Sequence, residues 1–134
     1  MASEQKTTYH IWHFKASAAP RTGSTLKYAM STHDDCRTAA ELFAISIVKR
    51  LQPKAKLYST ELGSRPIRST SHSPEFFELY HGAINQSTFS TKDDYYNAIS
   101  ILRPLHMLDY AKEDLSGQST TMTWSFVIPF TVDL

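Results

Sequence analysis

The chain predicts an α+β fold, an antiparallel sheet with two helices on one face. Three observations predict it. Strand-like and helix-like segments follow one another in the order β-α-β-β-α-β. Both helix-like segments open on a hydroxyl residue followed by acids, which suits the positive end of a helix. The last segment alternates apolar and polar residues with period two, the signature of a half-buried strand. The 134 residues suit one domain with a core of its own.

Residues 8–16 read as the first strand, rich in aromatic and β-branched side chains. Tyr9, Ile11 and His13 share one face; His10, Trp12 and Phe14 share the other. Residues 17–31 read as a loop holding Pro20 and Gly23. Ser31 and Thr32 precede His33, Asp34 and Asp35 as a helix start. Ala40, Phe43, Ala44, Ile47, Val48 and Leu51 recur at spacings of three and four along one helical face. Lys49 and Arg50 suit its last turn, and Pro53 stops it. Residues 55–62 read as a second strand and 76–84 as a third. Thr91 caps a second helix with Asp93 and Asp94 in its first turn. Tyr95, Ala98, Ile99 and Leu102 form its apolar side. Pro104 breaks or kinks it, with a further helical turn or two expected towards Leu115. In the final strand Met122, Trp124, Phe126, Ile128 and Phe130 face one way. Thr121, Thr123, Ser125 and Val127 make a polar outer face. Pro129 marks an edge or bulge.

This order fits the split βαβ, or ferredoxin-like, sandwich, with the final strand beside the first. Residues 1–7 form an N-terminal arm, and 63–74 a mobile, basic, Ser-rich loop. No stretch approaches the ~20 apolar residues of a membrane span. The N-terminus has no apolar signal core, and Cys36 is the single cysteine. A cytoplasmic or nuclear protein, not secreted, is expected.

The net charge of +1 conceals an asymmetry. By count of acids and bases, residues 37–68 sum to +5 and residues 69–134 to −5. Such a split points to a charged partner or to contact between copies of the chain. Arg21, Lys27, Arg65 and Arg68 lie in the two connecting segments and are the candidates for binding phosphate or an acidic surface. Ser and Thr together supply 30 residues, many in these connections. Arg65 and Arg68 precede Ser69, so phosphorylation there would cancel local positive charge.

Several chemistries are excluded. His10 and His13 point to opposite faces of a strand and cannot share a metal. No His-Glu-x-x-His, phosphate-binding glycine loop or nucleophile elbow occurs. No metal and no cofactor is expected. Cys36 lies in a helical first turn that favours a thiolate, but Asp34 and Asp35 oppose it. Tyr9, Trp12, Phe14, Phe76, Phe77 and Tyr80 would offer a base-stacking platform if their sheet face were bare. Under helices they are core.

Two function classes follow. The first is a non-enzymatic, self-associating binding protein, such as a viral or mobile-element structural or accessory protein. It would form a homo-oligomer and contact nucleic acid or an acidic partner. The second is a small dimeric α+β-barrel enzyme of the cofactor-independent oxygenase or cyclase kind. Its apolar pocket would lie between two sheets and be lined by Tyr9, His13 and His81, with Tyr80 joining through a bulge. A histidine would act as general base.

Overall fold

A computed structural model of the protein describes residues 6–20, 32–58, 77–114 and 120–134. Arg21, Lys27, Arg65, Arg68, Phe76 and the 63–74 loop lie outside the described residues. The elements in order are β1 (Thr7–Pro20), α1 (Thr32–Leu51), β2 (Lys56–Leu57), β3 (Phe77–His81), β4 (Asn85–Phe89), α2 (Lys92–Leu102), a 3-10 turn (Arg103–Leu105), β5 (Asp109–Asp114) and β6 (Thr120–Asp133).

β1 and β6 form the spine. They pair antiparallel from Thr7↔Asp133 to Ala18↔Met122. β3 and β4 lie end to end along the free side of β1, opposite Ala16–Pro20 and Tyr9–His13. β2 and β5 do the same along the free side of β6. The sheet is thus an α+β assembly of antiparallel strands with two described helices. Its order differs from the split βαβ arrangement. The second strand sits outside the final strand rather than beside the third.

That difference moves a helix. α1 covers the face carrying Trp12, Phe14, Trp124, Phe126 and Phe130. α2 covers the opposite face, on Ile11 and Val127. The expectation of two helices on one face is therefore corrected. The reason is the sense of the crossovers. β1 to β2 and β4 to β6 each connect parallel strands across one intervening strand, and both step in the same direction along the sheet. Their starting strands run antiparallel to each other. Two right-handed connections that step the same way from antiparallel strands must lie on opposite faces.

Side-chain size explains the α1 layer. The sheet supplies large buried rings, and the helix meets them with Cys36, Ala39, Ala40 and Ala44. Small residues let the helix backbone approach closely, and Ile47 and Val48 fill its far end. Leu51, expected on this face, is exposed. α2 starts as expected, with Asp94 N donating to Thr91 Oγ1 at 3.2 Å. It ends where Pro104 enters the 3-10 turn.

Four further expectations are corrected. β1 continues to Pro20 through residues read as a loop. Ala16, Ala18 and Ala19 are buried there, so a strand can be built from small residues with little alternation. The strand expected over 76–84 ends at His81, and after a break at Gly82–Ile84 an unexpected strand follows at Asn85–Phe89. Residues 109–114 are a strand on β6, not helix. The outer face of β6 is not open, for Ser125 and Val127 are buried beneath α2 and its following turn.

Pro129 fits its place on the outer side of β6. Its carbonyl accepts from Tyr58 N at 2.9 Å, so its missing N–H points to the same side. One step inward, Val127 N donates to Nδ1 of His106 at 3.0 Å. The strand edge between β5 and β2 is thereby closed by a side chain and an imino acid. His106 accepts there, which places its ring proton on Nε2.

Candidate functional site

A cleft of about 320 Å³ opens over one end of the sheet, between β2 and the first turns of α2. Its base is Thr7, Tyr9 and Thr131 from β1 and β6. Lys56, Leu57 and Tyr58 form one side; Lys92, Tyr95 and Tyr96 form the other. The volume lies in the range of sites that hold a small organic group.

Each wall follows from local sequence. Lys56 pairs with Thr131, which turns its side chain to the α2 face. Thr91 begins the helix that carries Lys92, Tyr95 and Tyr96 to the rim. Tyr95 is 2% exposed and forms the floor, while Tyr58 and Tyr96 are 46% and 43% exposed and form the mouth. The rings touch in a chain. Tyr95 lies 5.2 Å from Tyr9, 6.1 Å from Tyr58 and 5.7 Å from Tyr96 between centroids. Tyr58 and Tyr96 are 5.8 Å apart and tilted by 59°, so they splay rather than stack face to face.

The polar account of this cleft is unbalanced at one atom. The buried Tyr95 hydroxyl has no hydrogen-bond partner among the described residues. Burial, then the neighbouring phenols of Tyr96, Tyr58 and Tyr9, pushes its ionisation up. The group is a neutral donor waiting for an acceptor. At the rim, Lys56 Nζ donates to Asp133 Oδ2 at 2.6 Å. That bond, with one from Thr7 Oγ1 at 2.9 Å, holds the Asp133 carboxyl below its usual value. Lys92 forms no ion pair with another described residue.

The residues proposed for an enzyme pocket are not brought together. Tyr9 lines the cleft. His13 lies two residue pairs along β1 on the same face, outside the cleft. His81 projects to the opposite face, where its ring meets Phe14 at 6.1 Å and Phe43 at 5.8 Å. Tyr80 is exposed and bonds Glu78. No single pocket holds His13 and His81 because the sheet stands between them. Both faces of the sheet carry a helix, and neither face is bare at Tyr9.

A serine–histidine pair does occur. His13 Nε2 lies 2.8 Å from Ser125 Oγ. Ser125 is 0% exposed and does not line the cleft. The contact satisfies a buried hydroxyl. Beside it, Ser17 and Thr123 share a hydroxyl hydrogen bond of 2.7 Å. A second hollow of about 210 Å³ lies at the break between β3 and β4, lined by His13, Lys15 and Asn85 among others. Cys36 is wholly buried on the sheet-facing side of α1. Among the described residues no three His, Cys, Asp or Glu side chains converge as metal ligands. No described helix is long and apolar enough to cross a membrane.

Sequence reasoning missed Tyr58, Tyr95 and Tyr96 as a site. Tyr95 was assigned to the apolar side of α2, which is correct for its ring but says nothing of its hydroxyl. The remaining signal was a tyrosine pair on one helix turn beside Lys92, too short to be specific. No known protein family, curated protein or solved structure matches this chain.

Proposed function

We propose that the protein is a non-enzymatic binding protein that self-associates and holds an anionic partner, either nucleic acid or an acidic surface. One observation carries the reading: an open cleft walled by four tyrosines with lysines at its rim. Aromatic faces and cations recognise ligands that are flat and negatively charged. Of the described histidines, His13 bonds a buried serine and His10 bonds the hydroxyls of Thr8 and Thr88, and none lines the cleft.

Self-association is supported by the outer edge of β4. Among the described residues no strand pairs with that edge. Asn85, Gln86, Ser87 and Thr88 are exposed and uncharged. An open edge without charge, proline or bulge is a template for pairing. Across a two-fold axis, antiparallel copies of one strand set the central residue against itself and its neighbours on one side against those on the other, which an uncharged strand tolerates.

Size-exclusion chromatography with light scattering, at low and high salt, tests the reading. We expect an oligomer that co-elutes with added single-stranded oligonucleotide or acidic peptide at low salt and loses it at high salt. A monomer that retains neither probe would overturn it.

A further inference from the structure

We propose that the cleft between β2 and α2 is a site for one nucleotide unit, held as part of a single strand. The base lies against Tyr58 and Tyr96, the Tyr95 hydroxyl donates to its acceptor edge, and its phosphate meets Lys92. This inference rests on the binding reading above and narrows the anionic partner to nucleic acid.

Two features favour the nucleotide over a run of carboxylates, and a third sets how much phosphate the rim can hold. The first is the buried phenol. Tyr95 is 2% exposed, lines the cleft and leaves its hydroxyl unpartnered. A buried donor without an acceptor is costly, and phenols in protein interiors are normally paired. Nucleobases present carbonyl and ring-nitrogen acceptors at the edge of a flat ring. A base lying on the mouth rings would bring such an edge towards the floor.

The second feature is the exposure and tilt of the mouth rings. Tyr58 and Tyr96 remain close to half exposed although they sit in a tyrosine cluster. Their 59° splay leaves each with a ring face not stacked on the other. A base gains stacking on such a face whatever its sequence identity. A glutamate or aspartate side chain gains little there.

The third feature is the count of cations. Lys56 is already engaged by Asp133. Lys92 remains, followed on the helix by exposed Asp93 and Asp94. Lys92 can meet one phosphate, and the two carboxylates beside it oppose further anionic charge of either kind. Affinity from stacking and one phosphate contact is modest per unit. Repetition along a strand, through the oligomer, would raise it.

The test is a competition assay by fluorescence anisotropy. The probe is a fluorescein-labelled ten-nucleotide oligouridylate. Competitors are unlabelled oligouridylate, uridine monophosphate and heptaglutamate. The variants are Tyr96→Ala, Tyr95→Phe and Lys92→Ala, each checked for native near-ultraviolet circular dichroism. We expect Tyr96→Ala to weaken binding about tenfold and Tyr95→Phe about fivefold. Lys92→Ala should weaken it and reduce the salt slope by about one. Heptaglutamate should compete poorly, and the monophosphate only at much higher concentration than the strand. If the monophosphate competes as well as the oligonucleotide, the strand source is overturned and a free nucleotide takes its place. If the oligonucleotide binds but all three folded variants match the parent, the cleft is the wrong site while the binding reading stands. If heptaglutamate competes as well as the oligonucleotide, the nucleotide class is overturned. Failure of every probe to bind overturns both readings.

Discussion

Tyr95 carries a hydroxyl that no described residue satisfies. Removing it should therefore separate stability from binding. Tyr95→Phe keeps the ring contacts with Tyr9, Tyr58 and Tyr96, and deletes only an unpaired donor. We expect it to gain about 1 kcal/mol in chemical denaturation while losing ligand affinity. A variant both less stable and unimpaired in binding would mean that the hydroxyl has a partner within the fold. Glu41 is a second buried polar group, 6% exposed, with one carboxylate oxygen unpartnered. Burial raises its pKa to about 7, against a smaller opposing pull from Arg37. The folded state thus holds this proton at pH values where the unfolded chain has lost it. Its stability should be greatest below the ordinary glutamate value near 4.5 and decline as pH rises to about 7. Glu41→Gln should flatten that decline, a difference on the order of 3 kcal/mol at neutral pH. Urea titrations at pH 4.5 and 7.5 would measure it, and equal slopes for both proteins would refute it. At this scale the sequence was legible where a residue's type settles its role. Thr91 as a cap and Pro104 as a stop are such cases. Tyr95 was not, because a phenol's ring and hydroxyl answer to different neighbours.

Elements were legible in proportion to their periodicity. β6 alternates over most of its length, and its buried face from Met122 to Phe130 is the one read from the sequence. β1 was cut short because its last third is built of alanines and serine, which bury well but carry a weak pattern. β4 was missed, and the third strand was carried on to Ile84, because nothing in composition marks a break at Gly82 or a new strand at Asn85. β5 was hidden in a charged segment whose pairing depends on β6, far along the chain. The exposed edge of β4 gives this scale its prediction. Ser87→Lys places a charge at the centre of any two-fold strand pair. We expect it to raise the dimer dissociation constant several-fold, about 1 kcal/mol, in sedimentation equilibrium, with the monomer's circular dichroism unchanged. An unaltered dissociation constant would place the oligomer contact elsewhere. Thr91→Ala removes the cap that begins the helix of the cleft. It should cost about 1 kcal/mol in thermal or urea unfolding, and a neutral result would show that the cap contributes nothing.

For the whole molecule, the helices lie on opposite faces because the second strand moved to the far side of the last. No local pattern encodes that choice. Both arrangements share the two helices and the β6–β1–β3 pairings, and they place β2 on opposite edges of that core. The choice has a functional consequence. With α2 alone on its face, its first turns and β2 frame an open cleft at the end of the spine. The cleft draws on residues 7–9, 56–58, 92–96 and 131, which sequence distance scatters and the sheet collects. The charge asymmetry is also partly resolved inside the molecule, since Lys56 of the basic middle closes on Asp133 of the acidic half. The proposal that this cleft holds a nucleotide unit of a single strand can be read by photocrosslinking, with an oligonucleotide carrying 5-bromouracil irradiated on the protein and the attached peptides identified by mass spectrometry. Adducts are expected on the peptides containing Tyr58 or Tyr96, suppressed by excess unlabelled strand. Adducts confined to peptides that contain neither tyrosine would contradict it.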